Sequence, residues 1–576
     1  MKAVCLFAVL VLAHILTLTG HHVPLSPWTP LAYFWQDILT ALLFGVVDSF
    51  IRRQKIGWTL YGLLVVYVAV NVPIASILSS PLTWNMLRAA RGPLSDSIAH
   101  YFTLRYIGEI VITCGAGILL PLVYPFVCQR LELRAGKGVA VAALAIAVVA
   151  AGGPFAAAKL DTAGMYRNAF GALWPAQLGG STATGSEAWR TSPFPATPGI
   201  DLSAFQSAAA GRNVVVILLE STAARYLKTY GANEDPMPNL TRLAERSIVF
   251  ENAYAVYPES IRELFSVLCS HYPAFGMPPD NYAAAPCTSL PELLKAAGYR
   301  TALFHSGRFM YLGMQSVVEN HGFDTLEDAG AIGGNVNSSF GVDEPAAVGR
   351  MLSWIDGLPA GQRFFVTYIP VAGHHPYATP GPGPFAADTD IGRYRNALHY
   401  GDESLGTLFA GLRDRKLEDK TLFVIFGDHG EAFGQHDGNF GHSLFIYDEN
   451  VRVPYIIAAP GLMKEQLRDP VAASVIDTAP TVLDLLGLPA PSRFQGSSLL
   501  NASPRMSLFF TDYSLGFLGL YDSCWKYIFE TGSARSKLYN VCRDPDEKDD
   551  VSVPEAGRVT AYRSSVESWI AAQKGR

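Results

Sequence analysis

Apolar residues crowd the first 158 positions and then fall into a shorter rhythm. Five stretches, Ala3 to Thr19, Pro30 to Ile51, Gly57 to Leu78, Leu104 to Cys128 and Gly138 to Ala158, carry few charges. Each approaches the roughly 20 residues that a helix needs to cross about 30 Å of hydrocarbon, so they predict five transmembrane helices. The first, opening on Lys2, also fits a secretory leader, but no small-x-small cleavage site precedes His21 and His22, and four more runs follow. From Asn213 the pattern changes. VVVILLE is a continuous apolar run ending in an acid, as expected of a strand buried on both faces of a parallel sheet. NLTRLAERSIVF reads as a helix leading into a strand, RTALFHS and RFFVTYIP as strands, and TLFVIFGDHGE as the clearest strand. Strands alternating with helices predict an open α/β sheet. Between the two patterns, DTAGMYRNAFGALWPAQL mixes aromatic, Leu and Arg residues and predicts an interfacial helix. A Pro/Ser/Thr-rich linker, STATGSEAWRTSPFPATPG, follows it.

Charge divides the chain in the same place. Of 576 residues 49% are hydrophobic and 16% charged, against about 25% charged in ordinary soluble domains. The first 158 hold ten Lys and Arg against five Asp and Glu, whereas the remainder holds 34 against 45. An acidic globular part argues against a nucleic-acid partner, which calls for a basic face. Basic residues collect in cytoplasmic loops: Lys2, Arg52, Arg53, Lys55, Arg130, Arg134 and Lys137 fall on one side of the predicted bundle, and Arg88 and Arg91 on the other. This predicts an inside N-terminus and an external C-terminal part. Asp37 and Asp48, eleven apart on one helix face, and Arg105 with Glu109 at i,i+4 are ionisable groups inside spans. They are read as interfacial or mutually neutralising, with no proton path. Cys5, Cys114 and Cys128 belong to the spans, and Cys269, Cys287, Cys524 and Cys542 to the external part. In an oxidising compartment the last four suggest disulfides. Their 18-residue separations favour 269 with 287 and 524 with 542, although three connectivities are open; a zinc site is the rival, without a CxxC pair.

In an open α/β sheet the ligand site lies at the carboxyl ends of the strands. Glu220 ends one strand there, Asp428 and His429 end another, and His374 follows a third. Any one of these could be a cap or a buried hydrogen bond. An Asp-His pair after one strand with a Glu after another is, however, a ligand set for a divalent ion, Zn or Mn.

The runs NVVVILLES, PNLTRLAERSIVFENAYA, FVIFGDHGEAFGQHDGNFGHSLFIYDENVRVPYIIAAPG, SVIDTAPTVLDLLGL, FQGSSLL and KLYNVCRDPDEK together resemble, in order, the sulfatase-like domain of the alkaline phosphatase superfamily, over roughly Asn213 to Asp550. With the preceding spans the chain resembles the membrane-embedded branch: lipoteichoic acid synthases, phosphoglycerol transferases and phosphoethanolamine transferases. The resemblance implies an alkaline phosphatase/sulfatase-like α/β domain with a small antiparallel C-terminal subdomain around Ser507 to Asn540. The expected organisation is a five-helix transmembrane domain at 1–158, an interfacial helix and linker at 159–210, a catalytic domain at 211–506 and a C-terminal subdomain at 507–576.

The resemblance also implies a nucleophile after the second strand that is itself a metal ligand. The closing S-x-YP of YPESIRELFSVLCSHYP places Ser260 there, joining Glu220, Asp428 and His429 as ligands. The competing use of Ser260 is an N-cap, because SIRE fits a capping box. His374 in GHHPY and His442 in FGHS match substrate-facing histidines of the family, with His375 secondary and His436 read as solvent-facing. Arg262, two residues beyond Ser260, could clamp a phosphate bidentately without support from its family position, and Arg308 lies in a segment where the lipoteichoic acid branch contacts substrate. Sulfatases use C/S-x-P-x-R for conversion to formylglycine; here the run is Ser-Ile-Arg-Glu-Leu, with neither the Pro nor the Arg in its place. Where sulfatases place an acidic pair after the first strand, this chain has Glu220-Ser221. Both departures favour an unmodified hydroxyl attacking phosphorus. The expected function is a metal-dependent transferase, in a bacterial inner membrane with its catalytic domain outside. It would move a phosphoethanolamine or phosphoglycerol head group from a phospholipid donor to an envelope lipid or glycan. The alternative is a membrane-anchored sulfatase-like hydrolase of sulfate or phosphate esters.

Overall fold

The computed structural model describes residues 1–89, 103–128, 138–174, 187–195, 197–277, 279–285, 287–338 and 341–574. Arg91, Arg130, Arg134 and Lys137 of the charge argument, and the start of the predicted linker, lie outside the described residues. The N-terminal helices are α1 (Lys2–Leu18), α2 (Thr29–Phe50), α3 (Gln54–Leu78), α4 (Trp84–Ala89), α5 (Leu104–Cys128) and α6 (Gly138–Ala158). Three of them, α2, α3 and the Leu104–Phe126 part of α5, are long and apolar enough to cross a membrane; α1 and the Ala143–Ala158 part of α6 are shorter apolar helices. Three pairs of ionisable groups form among them, which is how hydrocarbon-embedded charge is accommodated. Lys2 Nζ lies 2.7 Å from Asp48, His14 Nδ1 2.7 Å from Asp37, and Arg105 Nε 3.2 Å from Glu109. The two aspartates of α2 therefore both serve α1.

Asp161–Trp174, expected as an interfacial helix, is instead a succession of turns with a single 3-10 turn at Gly171–Leu173. Its backbone pairs with itself only within local turns, such as the Met165 amide to the Thr162 carbonyl at 2.8 Å, while its polar side chains bond across the structure; residues 175–178 of the expected helix lie outside the described residues. Asn168 donates to Asp37 and Thr40, and Arg167 donates to Ser514.

Strands β1 (Asn213–Leu219), β2 (Ile248–Tyr254), β3 (Arg300–His305), β4 (Thr325–Glu327), β7 (Phe364–Ile369), β8 (Thr421–Gly427) and β12 (Tyr455–Ala458) form the main sheet in the order β2-β12-β8-β1-β7-β3-β4, with β11 (Arg452–Val453) and β13 (Leu467–Ser474) also paired to β2. β1, β3, β4, β7 and β8 are parallel, and β12 runs antiparallel between β8 and β2. Short antiparallel pairs join β5 (Val336–Ser338) to β6 (Gly341–Val342) and β9 (Ala432–Phe433) to β10 (Phe440–Gly441). Alternate residues of β1 enter two cores, as a doubly covered strand requires. Val214, Val216 and Leu218 face one core; Val215, Ile217 and Leu219 face the other. The second core is closed by helices α7 (Pro238–Ala244), α9 (Glu344–Asp356) and α10 (Asp390–Asp414). The first holds α8 (Ser260–Cys269), α11 (Ala556–Lys574) and the antiparallel C-terminal sheet of β14 (Ser507–Thr511), β15 (Phe517–Asp522), β16 (Trp525–Glu530) and β17 (Arg535–Asn540). Because the C-terminal sheet shares its core with the main sheet, the two are one packed unit. Disulfides join Cys269 to Cys287 and Cys524 to Cys542.

Candidate active site

The site grows from the carboxyl ends of two neighbouring parallel strands. β1 and β8 are in register up to Leu219 opposite Gly427, so Glu220 and Asp428 emerge side by side. Asp428 Oδ1 accepts hydrogen bonds from the backbone N–H of Ser221 (2.9 Å) and of His429 (2.7 Å), which fixes the turn after each strand. Backbone crowding selects glycine beside it: a Cβ on Gly430 would lie 2.1 Å from the Glu449 carbonyl oxygen, and one on Gly373 2.1 Å from that of Glu220. Gly373 thereby lets the GHHPY segment after β7 close over β1.

Ser260 arrives from a third stretch of chain. It is the first residue of α8, and Glu259 holds the N-cap position without a side-chain bond. Glu263, expected to complete a capping box, instead turns back to accept from the Val256 and Tyr257 amides at 2.8–3.1 Å. The Ser260 hydroxyl is thus released from capping. Its Oγ donates to Glu220 Oε2 at 3.1 Å and lies 3.2 Å from His429 Nε2. At a helix N-terminus the backbone dipole also favours negative charge on that oxygen.

Glu220, Asp428 and His429 offer ligand atoms that all lie within 4.8 Å of one another. They are buried, and Asp428 Oδ2 has no hydrogen-bond partner. His429 Nδ1 lies 3.0 Å from the Gly430 carbonyl, which places a proton on Nδ1 and leaves the Nε2 lone pair facing the acids, the tautomer a metal requires. Burial, and then the charge of Asp428, push Glu220 well above the usual carboxylate range; burial raises Asp428 to about 6. Burial also lowers His429 well below the usual imidazole value, with the nearby His442 adding to the effect. Two adjoining buried carboxylates, an orphaned oxygen and a neutral imidazole fit a divalent cation, whose charge would stabilise both acids in their ionised form.

A second layer surrounds this group. The His442 ring centroid is 4.1 Å from that of His429 and 6.3 Å from that of His374. Glu431 was not singled out in the sequence, yet its Oε2 lies 2.8 Å from His442 Nδ1 and its Oε1 accepts the Tyr377 hydroxyl at 2.5 Å. The available signal was the DHGE run, which sets Glu431 two residues after His429. Burial disfavours charge on His442, but Glu431 overrides it and holds the imidazole up to about 9. Burial, assisted by His442, lowers His374 to about 4, while its Nδ1 lies 2.6 Å from the His375 carbonyl.

Other expected residues lie elsewhere. Arg262 does not join the group: its guanidinium pairs with Asp512, sits 4.4 Å above the Tyr257 ring and is buried. Two steps along a helix turn a side chain well away from its starting face, which is why Arg262 and Ser260 diverge. His436 is not solvent-facing but stacks on Tyr447 at 3.6 Å, with Nδ1 2.6 Å from Glu449. His375 packs edge-on against Tyr377 at 5.4 Å. Arg308 lies three residues beyond β3, two strands away from β1.

The family model for sulfatases matches residues 212–488. The match covers just under half of the chain. Lipoteichoic acid synthase 2 of Bacillus subtilis (strain 168) is 26% identical over 317 residues, 52% of this chain and 48% of that protein. Arylsulfatase K of Mus musculus is 30% identical over 165 residues, 25% of this chain and 29% of that protein. The chain thus spans about half the length, or less, of these curated relatives. Among solved structures, the lipoteichoic acid synthase LtaP from Listeria monocytogenes shares the fold with a TM-score of 0.53 at 21% identity, covering 64% of this chain and 94% of that one. The clustered Glu220, Ser260, Asp428 and His429 all fall inside the matched segment.

Proposed function

We propose that this chain is a membrane-anchored, metal-dependent transferase that moves a phosphoglycerol or phosphoethanolamine head group from a phospholipid to an envelope lipid or glycan. The carrying observation is the Ser260 hydroxyl at the start of α8, between Glu220 and His429 and free of any capping bond. The similarity to lipoteichoic acid synthase 2 supports phosphoglycerol as the group moved. A divalent cation, zinc or manganese, held by Glu220, Ser260, Asp428 and His429 would stabilise a serine alkoxide and polarise phosphoryl oxygens. Ser260 Oγ, having given up its proton to solvent, forms a bond to phosphorus as the bond from phosphorus to the diacylglycerol oxygen breaks. His442, oriented by Glu431 and held protonated, gives that leaving oxygen its proton, while the neutral His374, its one proton on Nδ1, stands beside His442. In the second half the acceptor hydroxyl returns a proton to His442 and attacks phosphorus, and Ser260 Oγ leaves. An inner-membrane location with the catalytic part (211–506) and the C-terminal part (507–576) outside keeps the donor's acyl chains in the bilayer throughout.

Hydrolysis shares the first half and differs only in using water as the second nucleophile. The full chain in vesicles with head-group-labelled phospholipid separates the readings. A head-group phosphate on the Ser260 peptide, label on a lipid or glycan acceptor and loss of both in Ser260→Ala are expected. Formylglycine at position 260 in mass spectra of the same peptide would replace this proposal with a sulfatase.

A further inference from the structure

A groove of about 630 Å³ opens where the membrane helices meet the C-terminal sheet. Its apolar wall includes Leu39 and Leu43 of α2, Pro154 of α6 and Trp174, with Leu43 48% and Trp174 71% exposed. Because α2 is itself a candidate membrane span, acyl chains are the apolar matter that would meet this wall. Arg167 lines the polar end and is 8% exposed. Its guanidinium donates to the Ser514 carbonyl at 2.7 Å, to the Ser80 hydroxyl at 3.0 Å and to the Ser514 hydroxyl. None of these acceptors carries charge, the buried Glu530 acts on the guanidinium through its field without a hydrogen bond among those acceptors, and the buried Nε has no acceptor at all. Burial disfavours the guanidinium's charge despite the nearby Glu530, and a phosphate diester offers it both charge and paired oxygens.

Two segments tie the groove's surroundings to the catalytic part. The segment supplying Ser514 begins at Asp512, the partner of Arg262 on α8. The loop between His429 and His442 docks on the membrane part, with Asp437 Oδ1 3.0 Å from His21 Nδ1 and its Oδ2 accepting from the His22 amide at 2.9 Å.

We propose that this groove docks one phospholipid, its phosphodiester on Arg167 and an acyl chain along α2 and α6, as the loading position for the donor. The inference rests on the transferase reading for the word donor, whereas the docking itself does not require Ser260.

Native mass spectrometry of the delipidated full chain in detergent tests it, with phosphatidylglycerol as the probe and diacylglycerol as the phosphate-free control. The wild type and Ser260→Ala should both bind phosphatidylglycerol about tenfold more tightly than diacylglycerol. Arg167→Gln should bind the two lipids equally. Ser514→Ala, which removes a hydroxyl strut but leaves the guanidinium, should keep the preference. Equal binding of both lipids by the wild type overturns the proposal, and that comparison stands even if Arg167→Gln fails to fold. Equal loss of preference in Ser514→Ala would reduce Arg167 to a strut. Displacement of phosphatidylglycerol by millimolar inorganic phosphate would make this a free-anion site and likewise overturn the lipid assignment. A chain that keeps the preference yet transfers no head group would sink the transferase reading alone.

Discussion

Ser260 owes its accessibility to Glu263, which bonds the preceding turn instead of closing a capping box. Ser260→Ala is expected to lower turnover by at least about a thousandfold, with the far-ultraviolet circular dichroism of the purified chain unchanged. Glu431 acts one step back, by fixing the His442 ring. Glu431→Gln should cost roughly ten- to a hundredfold in kcat with KM little altered, measured on the labelled phospholipid. A residue at the carboxyl ends of β3 and β7 gives a stability signal. Burial raises Glu344 to about 7, only partly countered by donors from Tyr368, Val371 and Ser306. The folded chain therefore keeps this proton where the unfolded chain has lost it, so stability falls as pH rises from about 4.5 through about 7, by on the order of 3 kcal/mol at most. Glu344→Gln should flatten that slope in thermal unfolding of the detergent-solubilised chain between pH 5 and 7, taken as about those limits.

At the scale of elements, α8 is fastened at both ends. Glu263 accepts the Val256 and Tyr257 amides at its start, and Cys269 at its end is joined to Cys287. Glu263→Ala leaves two buried amides without partners, at a cost of about 1–3 kcal/mol each. It should lower the thermal midpoint and reduce activity together, unlike Glu431→Gln. The helix could be read from SIRELFSVLC, but the use of its glutamate could not: capping box and back-bond require the same residue type, and the fold of the preceding turn selects between them. Asp161–Trp174 shows the same limit. Its composition suits an interfacial helix, yet Asn168 and Arg167 find partners on α2 and the C-terminal sheet, far along the chain.

For the whole molecule, chelation is the decisive perturbation. Stripping divalent ions with EDTA should abolish turnover and lower the thermal midpoint, because Glu220 and Asp428 would then adjoin as buried acids without a counter-charge; zinc or manganese should restore both. The sequence by itself determined the division into an apolar basic part and an acidic α/β part. It also determined the doubly buried strands VVVILLE and TLFVIFGDHGE and the chemistry that ends them, because periodicity and strand termini are written locally. Only the tertiary structure decided which polar side chains meet. Arg262 went to Asp512, 250 residues away, and His436 to Glu449 rather than to solvent. A buried charge takes whatever partner the packed chain brings near, and no local pattern records that choice.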